Sequence, residues 1–352
     1  MKKRVFIRLG LLVFVLLLIY YGFRRIKAPV KKTTELKKQI TWETDIEKAK
    51  IIKDRILFWD GDYLVSLDTD GVVKDKVDHM KENLVPFFTE QYCFLYDSQM
   101  NKLYQYDGKA TLKNTMDIEG ELYNVLEQEG NIILHCKREE GEILYALTGK
   151  GELDGFFKTE DFILSFDVKN PFDDYVVSEL STSAAGYKSR VYVKKGDLKK
   201  YDYPSEVIMA VSKDKDIYVL TEKTLYRLTG TETIKKEVPL TTAILVHKDK
   251  IYLLHSGILS TYNKDLKEED KKVLAANLDQ LMWINGSLYG KGKGDLGGQL
   301  LTESEFYAKL GPQMEEMDIS GDFVISKREH ELFIFKLVNE KEETNEGGQE
   351  NQ

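Results

Sequence analysis

Short apolar runs of strand length, closed by Asp-Gly, Asn-Gly or single Gly turns, recur along nearly the whole chain, and this repetition restricts the fold more than any other feature. The clearest stretch begins with Glu206 to Ala210 and passes a Lys-Asp turn. It continues through Asp216 to Leu220 and Thr224 to Leu228, and ends at Thr233 to Val238. Its second run is apolar on successive residues, as a strand packed on both faces requires, whereas its last, Ile234-Lys235-Lys236-Glu237-Val238, is charged like an outer edge. The same order recurs from Ala49 to Val77, with turns at Asp60-Gly61 and Asp70-Gly71, and again in later copies. Hairpins between second and third strands fall near residues 60, 100, 140, 182, 222, 256, 286 and 329. The mean interval of about 38 residues is that of a propeller blade. Helical repeats have similar periods, but they need apolar residues at 3.6 spacing over a dozen positions, and these runs are too short.

The expected fold is therefore all-β: a β-propeller of four-stranded antiparallel blades, eight by this count and seven if the irregular copy from Trp283 to Thr302 is not a blade. The strands between Asp161 and Tyr203 read as longer and less regular than the rest. The last copy supplies only three strands, so Gln39-Ile40-Thr41-Trp42 is expected to arrive from the N-terminal side and close the ring.

Ahead of the repeats, Leu9 to Phe23 carries no charge and is flanked by Lys2, Lys3, Arg4 and Arg8 on one side and Arg24, Arg25 and Lys27 on the other. Fifteen helical residues cover about 22 Å, short of a hydrocarbon core of about 30 Å, but Val5 to Ile26 reaches about 33 Å if the flanking arginines snorkel. The run ends in bulky Tyr20-Tyr21-Gly22-Phe23 instead of the small residues of a cleavage site. The expected organisation is a signal anchor at 1–27 (transmembrane at about 6–26), a linker at 28–37, the propeller at 38–338 and a disordered acidic tail at 339–352. Basic residues flank the span on both sides and do not fix its orientation. An N-terminal anchor with so short a leader is the usual device for tethering an exported domain, so a single-pass cytoplasmic-membrane location with the propeller outside the cytoplasm is expected.

The Tyr- and Val-rich hairpins DIYVLTEKTLYRLTG at 216–230 and KIYLLHSGILSTYN at 250–263 resemble those of eight-bladed propellers described as PQQ-like or quinoprotein-like. With the anchor, the whole resembles membrane-anchored PQQ-like propellers of uncharacterised function from Gram-positive bacteria. It is more remotely similar to the propeller subunit of the outer-membrane β-barrel assembly machinery, a resemblance that implies a protein-binding scaffold. Quinoprotein repeats carry a recurring Ala-x-Asp-x-x-Thr-Gly and Trp signature. This chain has 3 Trp and lacks that signature, so no PQQ or other cofactor is expected. Trp59-Asp60 has the form of a WD dipeptide but occurs once.

No catalytic, cofactor-binding or metal-binding residue stands out. His79, His135, His247, His255 and His330 are scattered, and only His247 and His255 could meet on adjacent strands. Gly290 to Gly298 could cradle an anion with backbone amides, but it lacks phosphate-loop order and reads as a hairpin loop. Asp173-Asp174 and Asp68-Thr69-Asp70-Gly71 lack EF-hand spacing and read as turns. Cys93 and Cys136 sit in apolar runs and read as buried free thiols. The net charge of −8 is interleaved along the chain, which disfavours nucleic acid. The expected function is a membrane-tethered, non-enzymatic scaffold for a protein partner or cell-envelope polymer. The alternative is an envelope enzyme, a glycan-acting hydrolase or lyase, with carboxylates gathered in the central channel.

Overall fold

The computed structural model describes residues 30–79, 83–184, 186–230, 232–311 and 313–340. They form eight four-stranded antiparallel sheets and no other sheet. Blades 1 to 7 occupy residues 48–78, 84–117, 121–159, 162–204, 208–237, 243–273 and 280–309. Within each, strands A, B, C and D follow one another in chain order from the channel outward. Blade 8 takes strands A to C from 316–339 and strand D from the N-terminal strand Lys32–Thr41. The count of eight and the closure from the N-terminal side hold.

Period-two alternation explains why the middle strands are apolar on successive residues. Leu57 packs toward blade 2 while Phe58, its neighbour, packs toward blade 8. Every blade is used twice in this way. The buried apolar residues divide into eight clusters, each spanning one blade-to-blade interface, so the core is a closed ring of equivalent parts. Full burial of a Leu or Phe side chain contributes about 1.5–3 kcal/mol. Strand D needs only hydrogen bonds on one side, and Val73–Asp78, Thr233–Glu237 and Glu268–Val273 are accordingly charged and exposed.

One turn recurs at the C-to-D connection. The last residue of strand C caps the turn with its side chain: Asp68 accepts from the amides of Asp70 and Val72, Asp107 from Lys109 and Thr111, and Asn263 from Asp265 and Lys267. The fourth residue closes back onto the carbonyl of the first and adopts a positive φ, 77° at Gly71 and 57° at Leu266. Lys74, together with these amides, holds the Asp68 carboxyl down to about 2. The Asp68-Thr69-Asp70-Gly71 segment is thus turn chemistry.

Two expectations change. The stretch read as a linker, 28–37, is paired from Lys32 onward, and Lys32–Thr41 runs antiparallel to Glu331–Asn339. Its polarity misled because an outermost strand is held by its ladder and not by burial. The irregular copy is a true seventh blade, with its B–C turn at 292–294 and not near 286, which is the A–B turn. The strands between 161 and 203, expected to be longer and less regular, are blade 4: they run eight to ten residues, and strand A carries two register shifts. Among the described residues no helix is long and apolar enough to cross a membrane. The span expected at about 6–26 lies outside them, as does the tail beyond Glu340.

The alternating strand directions put B–C turns and blade-to-blade connections on one face, and A–B and C–D turns on the other. Both ends of the described chain lie on the second face, where the Glu340 amide donates to the Lys31 carbonyl at 2.9 Å and the two side chains form an ion pair.

Candidate functional site

The residues that sequence reasoning could have assembled into chemistry are kept apart by the fold. His247 and His255 end successive strands at opposite ends of one hairpin. His247 stacks on Trp283 at 3.9 Å between ring centroids, and His255 bonds Ser260 at 2.9 Å. His135 is held by Glu142, which also accepts the Ile163 amide, and His79 meets the Tyr106 hydroxyl. No group of His, Cys, Asp and Glu suited to a metal occurs among the described residues. Cys93 and Cys136 are free and fully buried in different interface clusters, and burial pushes the Cys136 thiol up to about 12. Asp173 accepts the Gly196 amide and Asp174 pairs with Lys213. The glycines of 290–298 are packing devices. A Cβ at Gly298 would lie 2.1 Å from the Phe306 ring, and one at Gly290 2.6 Å from Leu278. The Trp59-Asp60 pair is a latch, in which buried Asp60 accepts from Trp42 Nε1 at 2.6 Å and from the amides of Asp62 and Tyr63, tying the closing strand to blade 1.

Strand A has no partner on its channel side, so its inward amides need acceptors. Neighbouring blades supply them. Glu316 and Asp318 of blade 8 accept the amides of Ala49 and Ile51, Gln128 of blade 3 accepts Val168, and Ser165 and Asp167 of blade 4 accept Val211 and Lys213. Burial raises the Asp167 carboxyl even so. Glu316, Asp318 and Asp167 are thereby committed to backbone.

What the fold does create is a channel mouth on the face away from the chain ends. In blades 3, 4 and 5, and in no other blade, strand A is interrupted by a β-bulge near this mouth, at Leu122/Asn124, Ile163/Ser165 and Ile208/Ala210. A bulge leaves one residue unpaired and re-aims its side chain. Tyr123 and Met209, bulged in this way, are 40% and 51% exposed. Leu164 packs instead between blades 4 and 5, and Phe162, two residues earlier, is 55% exposed. Val85 of blade 2 and Leu240 before blade 6 are also exposed and extend an apolar crescent over successive blades. At one end a cavity of about 340 Å³ is lined by Met209, Ala210, Ile244 and the polar Thr242, Asp279 and Gln280.

The crescent has a charged border. An acidic residue stands one to three positions before each of these exposed side chains: Glu121 before Tyr123, Asp161 before Phe162, and Glu206 before Met209. The blade-to-blade connections add Glu119, Glu160 and Asp279, and their described residues include no Lys or Arg. Asp161 is partly offset by Arg190, and Glu119 pairs with Arg138. The sequence does not reveal this site because a bulge is a property of register. The acidic connections, by contrast, can be read off once the strands are placed.

No protein-family model matches the chain, and no curated protein does. Solved structures are similar in fold. BamB from Moraxella catarrhalis aligns with a TM-score of 0.56 and 8% identity over 86% of this chain and 100% of that one. Sqt1 from Saccharomyces cerevisiae aligns with a TM-score of 0.54 and 11% identity over 86% and 98%. At such identities the likeness extends to the propeller fold alone.

Proposed function

We propose that the chain is a membrane-tethered, non-enzymatic binding propeller at a bacterial cell envelope, anchored by residues of about 6–26 and presenting the bulged channel mouth away from the membrane. The observation that carries this reading is the meeting of both ends of the described chain on one face, where Lys31 pairs with Glu340, opposite the face that bears the crescent. A span ending near Ile26 is followed within a few residues by the closing strand at Lys32, so the tether is short. A propeller fold shared with BamB and Sqt1 is compatible with a binding role. A hydrolase would need two carboxyls free to exchange protons across a substrate. Glu316, Asp318 and Asp167 hold backbone amides instead.

The native thiols are buried, so single cysteines can report exposure without background. In intact cells a membrane-impermeant maleimide should label a Tyr123→Cys variant as strongly as after lysis, and the chain should stay with the membranes through an alkaline carbonate wash. Labelling only after lysis would overturn the extracytoplasmic placement, and release by the wash would overturn the anchor.

A further inference from the structure

We infer that the channel mouth on the bulged face docks a protein segment that is apolar on one side and carries Lys or Arg on the other. This deepens the binding role proposed above and rests on it. Three features converge. The bulges are confined to three consecutive inner strands and stand at the same place in each, so the exposure of Tyr123 and Met209 is built into the backbone. Large exposed side chains stand near the start of strand A in four successive blades, 2 to 5 (Val85, Tyr123, Phe162 and Met209). The connections leading into the bulged blades, 118–120, 160–161 and 205–207, contain no Lys or Arg. Arg138 and Arg190 offset Glu119 and Asp161, so a partner's positive charges meet Glu160, Glu206, which also accepts from the Thr221 and Tyr226 hydroxyls, and Glu121 at the start of strand A of blade 3. An anionic lipid surface or a nucleic acid would meet the same carboxylates with like charge. An acidic peptide would do so too.

The occupant has a definable shape. An extended strand shows alternate residues to one side, and a helix shows residues at i, i+3 and i+4. Either places Leu or Phe over the crescent while Lys or Arg reaches outward to the acidic border.

The test uses the full chain in nanodiscs of zwitterionic lipid, with empty nanodiscs as the blank and two synthetic probes: an amphipathic Leu/Lys peptide and the same sequence with Glu in place of Lys. A photo-crosslinking amino acid is placed at residue 123, or at Leu198 on the opposite face. The Leu/Lys peptide should crosslink at 123 and not at 198, bind at least tenfold more tightly than the Leu/Glu peptide, and weaken as salt rises from about 0.05 to 0.5 M. A Tyr123→Ser, Met209→Ser double variant, checked for an unchanged urea midpoint, should lose at least tenfold in affinity. Equal binding of both peptides, labelling at 198 alone, no labelling at 123, or full affinity in the double variant would each overturn the inference. None of these outcomes depends on membrane orientation, so a failed maleimide experiment and a failed peptide experiment are separable.

Discussion

Glu179 shows how a carboxylate can belong to a propeller core. It is fully buried in blade 4 and accepts from Arg190 Nη1 at 2.8 Å, Tyr192 Oη at 2.9 Å and Thr159 Oγ1 at 2.5 Å. Glu179→Ala should cost about 2–4 kcal/mol in urea unfolding, below the upper range for a buried pair because Arg190 remains 21% exposed. Glu140→Ala, which removes an exposed partner of Lys158, should change stability by under about 0.5 kcal/mol. Equal effects of the two substitutions would contradict this account. His255 contributes to the acid limb of stability, as does His247, whose pKa burial also lowers. Burial, aided by Lys271, holds the folded-state pKa of His255 below the ordinary 6.5, so the folded chain resists a proton that the unfolded chain accepts. Its contribution is present above 6.5 and is lost as pH falls through the folded value. His255→Gln should flatten the decline in urea midpoint between pH 7 and pH 5, and an unchanged slope would place the titrating group elsewhere.

Elements differ in how much of themselves they write into sequence. Middle strands announce themselves, since Arg55–Trp59 and Tyr63–Asp68 must be apolar toward two neighbouring blades. The capped C–D turn is almost as plain, because Asp68, Asp107 and Asn263 each stand at the end of a Tyr- or Leu-rich run. The closing strand was only half legible. Ile40 and Trp42 showed where it ends, but Lys32 to Lys38 has the composition of a linker and becomes a strand through its partner Glu331–Asn339. The bulges left no mark, since Glu121–Gln128 reads as one uninterrupted strand and its partner's register alone sets Tyr123 apart. Glycine requirements likewise emerge only from neighbours. Gly141 opens strand C of blade 3 at φ 117°, and a Cβ there would lie 2.0 Å from the Thr159 carbonyl oxygen, whereas Gly130, at φ 77°, has open space around it. Gly141→Ala should therefore cost about 2 kcal/mol or more, and Gly130→Ala about 1 kcal/mol, the penalty of the left-handed backbone alone. Thermal or urea unfolding of the two variants distinguishes clash from conformation.

At the scale of the whole molecule, eight equivalent interfaces and the adjoining ends of the described chain make the ring indifferent to where its strand order begins. Joining residue 340 to residue 30 by a short linker and opening the chain between Ser256 and Gly257, in an exposed turn of blade 6, should give a permutant with the parent's far-UV spectrum. Failure of that permutant to fold would show that the N-terminal closing strand must form at a particular stage. The closing strand also decides how the ring bears load. Lys32 and Asn339 are paired at the same end of the ladder, so forces that pry the two termini apart open its rungs one after another from that end. A pull on Lys32 against something gripped at the far face instead runs along the strand and sets the ladder in shear, so that its rungs must break together. The same clasp is a zipper to one force and a rivet line to the other, and it is strongest along the line between Lys32 and the channel mouth.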